Sequence, residues 1–165
     1  MFQVQFRAAS TEEFYTKLRE AVAVLSSAEQ DWLANLSNAA ALIGLNMERI
    51  NWAGFYLLRK DELVLGPFWG KPACTRIPLG SGVCGTAAAT LTPQVVDDVD
   101  LFEGHIACDS DSRSEIVIPF MDESGALLGV LDIDSPDEAR FTSQDLHGLS
   151  RFIDHLVQAS EWVMS

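Results

Sequence analysis

The clearest structural signal in the sequence is EIVIPFMDESGALLGVLDID, residues 115–134. Two runs of branched apolar residues flank the short polar segment ESG, which is the pattern of an antiparallel β-hairpin. Side chains two residues apart on a strand point to the same face of a sheet, so Asp132 and Asp134 share a face. If the strands pair around residues 122–126, Glu115 falls near the level of these two carboxylates. The hairpin is therefore expected to bring three acidic side chains together.

Further elements lie on both sides of this hairpin. After it, TSQDLHGLSRFIDHLVQASEWV (142–163) has the apolar spacing of a helix, with Thr142 or Ser143 as its N-cap. Before it, NWAGFYLLR (51–59) and ELVLGPFW (62–69) form a second predicted hairpin around KDE. Five more elements are predicted, namely helices over 10–25, 28–44 and 83–91, a short strand in TRIP (75–78), and another at 94–96.

The second of these helices is predicted to end at Gly44, since glycine is common just past a helix end. Its buried face is predicted to comprise Trp32, Leu33, Leu36, Ala40 and Ile43.

The order of elements indicates the fold class. Two helices, several hairpin strands, an irregular polar segment over 97–114, two more strands and a helix suit an α+β domain with helices flanking a mostly antiparallel sheet. Long irregular segments in a compact domain are usually functional or disordered. The chain has 165 residues, 48% of them hydrophobic, which suffices for one core without disulfide staples. We expect one domain over residues 1–165.

Charge and hydropathy narrow the function. The formal net charge of −13 argues against a nucleic-acid partner and favours cationic ligands. The N-terminal sequence lacks the apolar core of a signal peptide, and no run approaches the ~18 apolar residues of a membrane span. The sequence therefore predicts a cytoplasmic protein without a membrane anchor.

The three cysteines lie in loop or turn contexts: Cys74 in KPACTR, Cys84 in GVCGTA and Cys108 in HIACDS. Cysteines that fill a core usually sit inside apolar strands or helices. An inert, partly buried thiol is still a common role for a single cysteine, so this interpretation remains open. An odd number of cysteines in a reducing compartment otherwise indicates catalysis or metal binding rather than structural disulfides.

Zinc is the metal to consider, because His105 and Cys108 form H-x-x-C and the two other cysteines would complete a tetrahedral set. Structural zinc sites favour closely spaced cysteine pairs, whereas Cys74 and Cys84 are ten residues apart. This spacing favours thiol redox chemistry, and we expect no metal site.

Thiol redox catalysis uses one cysteine that the substrate oxidises to a sulfenic acid and a second that captures it as a disulfide. It also accounts for the acidic residues around Cys108, which oppose thiolate formation. In sulfoxide reduction the leaving oxygen must be protonated, and crowded carboxyl groups with raised pKa are suitable donors.

The converging carboxylates of Glu115, Asp132 and Asp134 have a second expected use. Carboxylates buried without a cation are costly, so an α-ammonium is their natural partner. Taken alone, Asp132 and Asp134 fit a solvated strand end better than a binding site. Trp52 and Tyr56 are four apart on one strand face, where aromatic residues are usually core but can also form the wall of an apolar pocket. The glycines of GSGVCG (80–85) precede a helix and are weakly indicative of an anion site.

The segments NWAGFYLL, LGPFWGKPAC, IPLGSGVCG, FEGHIACDSDSRSEIVIP and GVLDIDS together resemble the free methionine-R-sulfoxide reductases, which are single GAF domains. The resemblance runs from about Asn51 to Asp145. It includes the family's order of motifs and its cysteine intervals of ten and twenty-four residues. Generic GAF sensor domains share the fold but lack this cysteine set, and a ligand-sensing module without chemistry is the competing hypothesis.

The resemblance implies that Cys108 is the nucleophile, Cys74 the resolving thiol and Cys84 a second thiol that can enter the relay. It implies that free L-methionine (R)-sulfoxide is the substrate, with no bound cofactor. Thioredoxin is implied as the external reductant, recycled with NADPH by thioredoxin reductase. The implied fold is an antiparallel sheet of about six strands with the N- and C-terminal helices packed on one face, and pairing through the helices as a homodimer. The substrate-binding residues implied are Trp52, Tyr56, Glu115, Asp132 and Asp134.

Overall fold

A computed structural model describes residues 4–163 of the chain. The helices are α1 (Thr11–Leu25), α2 (Trp32–Asn46), α3 (Gly82–Thr90) and α4 (Ser143–Ala159). The strands are β1 (Trp52–Arg59), β2 (Glu62–Gly70), β3 (Arg76–Pro78), β4 (Gln94–Val96), β5 (Ser114–Met121) and β6 (Leu127–Ser135). A single 3₁₀ turn, Val99–Leu101, lies in the predicted irregular segment.

The six strands form one sheet in the order β3-β2-β1-β6-β5-β4, and neighbouring strands are antiparallel. This confirms the predicted α+β class and the expected strand number. The β5–β6 hairpin has the predicted register, with Glu115 opposite Asp134 and Val117 opposite Asp132. Glu115 and Asp134 thus face the same side of the sheet, and Asp132 follows by the two-residue period.

Alternation along β1, β5 and β6 divides the core into two layers. On one face, Phe55, Ile116 and Leu131 pack against α1, α2 and α4. This is the predicted packing of the N- and C-terminal helices. On the other face, Tyr56, Val117 and other residues pack against the short helix α3. The candidate site lies on this second face.

The terminal helices run side by side in the same direction. Tyr15 in α1 donates a 2.6 Å hydrogen bond to Asp145, which completes the capping box at the start of α4 with Thr142. At the other end, Ser26 Oγ and His155 Nε2 are 3.0 Å apart. These polar contacts fix the register of two helices whose apolar faces pack on the sheet.

The predicted bounds of two helices were wrong. Helix α2 begins at Trp32, because Asp31 caps it, and continues past Gly44 to Asn46. Gly44 lies inside the helix, where an added Cβ would come within 2.2 Å of Trp69. Leu33, predicted to be buried, is 50% exposed.

Helix α4 ends at Ala159 rather than near residue 163. There the backbone becomes extended, and Glu161 N–H donates to Gln30 O at 2.7 Å. Among the residues described, no helix is both long and apolar enough to span a bilayer.

Candidate active site

A small cavity lies between the sheet, the N-terminus of α3 and the irregular segment over 97–113. Its volume is about 40 Å³, enough for a few water molecules. Gly82, at the start of α3, has φ +62° and sits under Ile106 of the irregular segment. The lining includes Trp52, Tyr56, Lys71, Ser81, Gly82, Cys84, His105, Cys108, Asp109, Glu115, Asp132 and Asp134.

A disulfide between Cys74 and Cys108 closes one side of the cavity. Their Cα atoms are 5.6 Å apart, within the usual range for a disulfide. Cys74 precedes β3 and is half-buried, whereas Cys108 lies in the irregular segment and is exposed. The two cysteines implied as nucleophile and resolving thiol are therefore joined.

Cys84, the cysteine outside the disulfide, is buried on the first turn of α3. Its Sγ lies 3.8 Å from Glu115 Oε1. Burial, assisted by the charge of nearby Asp132, raises the pKa of the Cys84 thiol well above its usual range. In this form Cys84 is a protonated thiol pointing at the acidic wall.

The acidic wall is formed by Glu115 of β5 and by Asp132 and Asp134 of β6. Glu115 and Asp132 are each 6% exposed, and Asp132 Oδ1 has no hydrogen-bond partner among the described residues. Burial and the charge of Asp134 raise the pKa of Glu115, and burial and the charge of Glu115 raise that of Asp132. Burial and Asp132 raise the pKa of Asp134 as well. The wall therefore retains protons that ordinary carboxyl groups would have released.

His105 approaches the same wall from the irregular segment. Its Nε2 lies 3.6 Å from Glu115 Oε2, and the side chain is 15% exposed. Burial lowers the pKa of His105, so the imidazole is neutral near pH 7. A neutral imidazole does not neutralise the carboxylates.

The rim of the cavity carries a separate set of acids. Lys71 Nζ lies 2.7 Å from Asp111 and 3.6 Å from Asp109. Asn51 donates to Asp109 at 3.3 Å and to Ser112 at 3.1 Å. These contacts tie the segment that carries Cys108 to β1 and to the segment before Cys74. The sequence analysis missed Lys71, Asn51 and Ser112 in this role, because no local pattern marks them.

The aromatic residues position the Cys74 segment. Trp52 and Tyr56 stack with ring centroids 5.9 Å apart. Tyr56 OH donates to Cys74 O at 2.9 Å, and Trp52 Nε1 donates to Lys71 O at 3.1 Å. The two rings are buried and also line the cavity. The same side chains therefore serve as core residues and as part of the pocket wall.

The structure thus brings the eight residues singled out by sequence to one place. Seven of them line the cavity, and the eighth, Cys74, is bonded to Cys108 at its edge. Ser81 to Cys84, in the first turn of α3, also line the cavity, and the N–H groups of Gly82 to Cys84 have no partner within the helix.

Comparison with known proteins defines the class of this fold and site. Residues 18–159 match the GAF domain. The chain is 50% identical, with a TM-score of 0.90, to the crystal structure of a putative GAF sensor protein from Burkholderia vietnamiensis, over 92% of this chain and 96% of that one. The chain belongs to the GAF domain family.

Two further relatives define the family more narrowly. The free methionine-R-sulfoxide reductase of Escherichia coli K12 is 51% identical over 144 residues, which are 87% of each chain. The X-ray structure of the free methionine-R-sulfoxide reductase of Neisseria meningitidis, in complex with its substrate, has a TM-score of 0.91 and 42% identity, over 96% of this chain and 95% of that one. Within the GAF domains, the chain belongs to the free methionine-R-sulfoxide reductases.

Proposed function

We propose that this chain reduces free L-methionine (R)-sulfoxide to L-methionine. The observation that carries the proposal is the Cys74–Cys108 disulfide beside a cavity whose wall holds buried carboxyl groups. The relatives named as reductases supply the substrate and its R configuration. The reaction returns an oxidised amino acid to methionine, a repair suited to oxidative stress.

Two thiol steps account for all the atoms and electrons of the proposed reaction. Cys108 sulfur attacks the sulfoxide sulfur, and the sulfoxide oxygen takes a proton and passes to Cys108 as a sulfenic acid, which releases methionine. Cys74 then attacks the sulfenic sulfur, forms the disulfide and releases water. One sulfoxide and two thiols thus give methionine, one disulfide and one water. Glu115 and Asp132 supply protons, since carboxyl groups with raised pKa are effective donors near neutral pH.

The assignment of Cys108 rather than Cys84 as nucleophile rests on burial. Cys84 is 4% exposed and its pKa is raised by burial, whereas Cys108 is exposed on a loop. Reactive cysteines are accessible ones with accessible thiolates. We assign Cys84 the role of a second thiol that can enter the relay.

Recognition of a free amino acid follows from opposite charges at two ends of the cavity. Asp134 and Asp132 attract the substrate ammonium, which supplies the cation that their burial requires. The first turn of α3 presents N–H groups to the substrate carboxylate. Trp52 and Tyr56 contact the apolar side chain. A peptide has neither charge at these positions, so it binds poorly.

Regeneration requires an external dithiol. The Cys74–Cys108 disulfide lies at the edge of the cavity, and it must be reduced before Cys108 can attack a further sulfoxide. Cys108 is exposed to attack, and we propose thioredoxin as the reductant, with NADPH supplied through thioredoxin reductase and no bound cofactor. We further propose that residues 1–165 form one GAF domain, which acts in the cytoplasm and pairs through its helices as a homodimer.

The decisive experiment compares Cys108→Ser with Ser110→Ala, an exposed change in the same loop. In an assay coupled to thioredoxin and NADPH, Cys108→Ser should lose turnover and Ser110→Ala should keep it. Full activity of Cys108→Ser would refute the assigned nucleophile. A sensor without chemistry would lose no thiols on mixing with the sulfoxide, whereas a reductase loses two and releases methionine.

A further inference from the structure

Three buried side chains on the cavity wall have the arrangement of a metal site. Donor atoms of Cys84, Glu115 and Asp132 all lie within 4.8 Å of one another. The Cys84 Sγ to Glu115 Oε1 distance is 3.8 Å. In a tetrahedral zinc site, with bonds of about 2.0 to 2.3 Å, neighbouring donor atoms are about 3.5 Å apart. Shifts well below 1 Å per atom would therefore bring these three donors around one ion.

A second observation is independent of this proximity. Asp132 Oδ1 is buried and has no hydrogen-bond partner among residues 4–163, although buried polar atoms are normally paired. Within residues 4–163, the basic side chain that comes within 4 Å of the wall is the neutral imidazole of His105, whose Nε2 lies 3.6 Å from Glu115 Oε2. An unpaired carboxylate oxygen of this kind is costly unless a cation reaches it.

We propose that Cys84, Glu115 and Asp132 bind a Zn²⁺ ion, with a water molecule in the fourth position. A cysteine sulfur excludes Mg²⁺ and Ca²⁺ as preferred ions, since these take oxygen ligands. One sulfur and two carboxylate oxygens, completed by water to a four-coordinate set, suit Zn²⁺. A cavity of about 40 Å³ has room for a single ion.

This site differs from the one considered from sequence. That one would have used Cys74 and Cys108, which the disulfide occupies. Here two ligands come from neighbouring strands and one from a helix packed across them, a combination that no local spacing reveals. Under the proposed function, on which this point rests, Zn²⁺ and the sulfoxide exclude each other, because both bind the carboxylate of Asp132.

The test exploits the disulfide form, in which Cys84 is the single free thiol of the chain. The oxidised protein, kept free of reductant, is titrated with Co²⁺, and the thiolate-to-cobalt charge-transfer absorption is recorded. We expect one Co²⁺ per chain with this absorption, and its loss when Zn²⁺ displaces Co²⁺. Absence of the thiolate band at saturating Co²⁺ overturns the proposal without any variant.

Variants assign the ligands. Cys84→Ser should abolish the band, and Asp132→Asn should weaken Co²⁺ binding at least tenfold while the band at saturation remains. Glu103→Gln, an exposed acid in the irregular segment, is the matched control and should change neither. A band that survives in folded Cys84→Ser, or unchanged affinity in Asp132→Asn, overturns the site as assigned. If Cys84→Ser fails to fold, the wild-type band and Asp132→Asn decide.

The metal and the reaction can fail separately. Metal binding by a chain that does not reduce the sulfoxide supports the site and counts against the proposed function. Turnover by a chain that shows no thiolate band overturns the metal site and leaves the reaction in place.

Discussion

Replacing Asp132 by Asn should stabilise the folded protein and impair its activity at the same time. Asp132 is buried beside Glu115, and its Oδ1 lacks a hydrogen-bond partner in the described chain. An amide keeps the size of the carboxyl group, removes its charge and can donate to Glu115. The variant therefore loses a like-charge contact and satisfies a neighbouring acceptor.

The direction in which the carboxyl pKa values shift determines how the stabilising effect of Asp132→Asn changes with pH. Burial raises the folded-state pKa of Glu115 and Asp132 above the unfolded values, so the folded state holds protons that the unfolded state has released. Their stabilising contribution is complete below the ordinary carboxyl pKa of about 4 and is lost as the pH rises through the raised folded values. Asp132→Asn removes one of these two groups. Its advantage should therefore be small at pH 5 and larger at pH 8.

The magnitude follows from the cost of a buried unpaired polar group, about 1–3 kcal/mol. For a protein of this length, that corresponds to a gain of roughly 2–10 °C in Tm at pH 8. Loss of a charge-assisted hydrogen bond to the substrate, worth about 1.5–3 kcal/mol, should lower kcat/KM about ten- to hundredfold.

The assays are thermal unfolding of the oxidised protein at pH 5 and pH 8, and coupled turnover of the reduced protein. Asp61→Asn makes the same change at an exposed turn and should alter Tm and kcat/KM little. A lower Tm for Asp132→Asn at both pH values, or an unchanged pH slope, would refute the assigned cost. Unchanged kcat/KM would remove Asp132 from the substrate site.

Three other expectations concern the relay, the substrate and the core. Cys74→Ser should release one methionine per chain in a single turnover and stop at a Cys108 sulfenic acid detectable by mass spectrometry after dimedone labelling; a Cys84–Cys108 disulfide in place of the sulfenic acid would show that Cys84 resolves the intermediate instead. N-acetylation of methionine sulfoxide removes the ammonium and should lower kcat/KM at least tenfold; an equal rate would contradict recognition by Asp132 and Asp134. Gly44→Ala should lower the free energy of unfolding by about 1–3 kcal/mol, because the new methyl group meets Trp69; urea denaturation measures this, and Ala23→Gly in α1 gives the size of a change in helix propensity alone.

The parts of the fold that sequence predicted well are those set by local periodicity. The hairpin over residues 115–134 was predicted with its register, because a two-residue alternation between two buried faces allows few alternatives. Glu115 could be placed opposite Asp134 for the same reason. The end of α4 was missed because it depends on pairing of Glu161 with Gln30, which are 131 residues apart in the chain. Gly44 was wrongly predicted to end α2. A glycine stands at this position because Trp69 of β2 lies against it, and the local sequence does not reveal that contact.

The features of the site also divide into those set by local periodicity, which the sequence predicts, and those set by long-range contacts, which it does not. Convergence of Asp132 and Asp134 followed from strand geometry, whereas the Cys74–Cys108 pairing was implied by family resemblance and not by spacing. The position of Cys84 against Glu115 depends on how α3 docks on the sheet, and the residues around Cys84 carry no signal for that. Long-range contacts such as Lys71 with Asp111 leave no periodic pattern.

The acids around Cys108 form two groups that the linear sequence mixes. Asp109 and Asp111 face Lys71 at the rim, and a backbone hydrogen bond from Asp111 is the main cause that lowers the pKa of Asp109. Glu115 is the second residue of β5, and strand alternation turns it inward, where burial raises its pKa. The rim acids, Asp109 and Asp111, anchor the segment that carries Cys108. The inner acids, Glu115, Asp132 and Asp134, keep their protons at a pH where ordinary carboxyl groups have lost them.

This separation explains why the inner acids remain despite their cost. Their repulsion is relieved by the protons that they retain or by a cation in the cavity, and a substrate ammonium or a metal ion each supplies a cation. Either ligand should therefore stabilise the folded state through linkage, by about 2.7 kcal/mol at a concentration 100 times its Kd. The two should not add, because both need the carboxylate of Asp132. A protein without the inner acids would be more stable when empty and would gain less from either ligand.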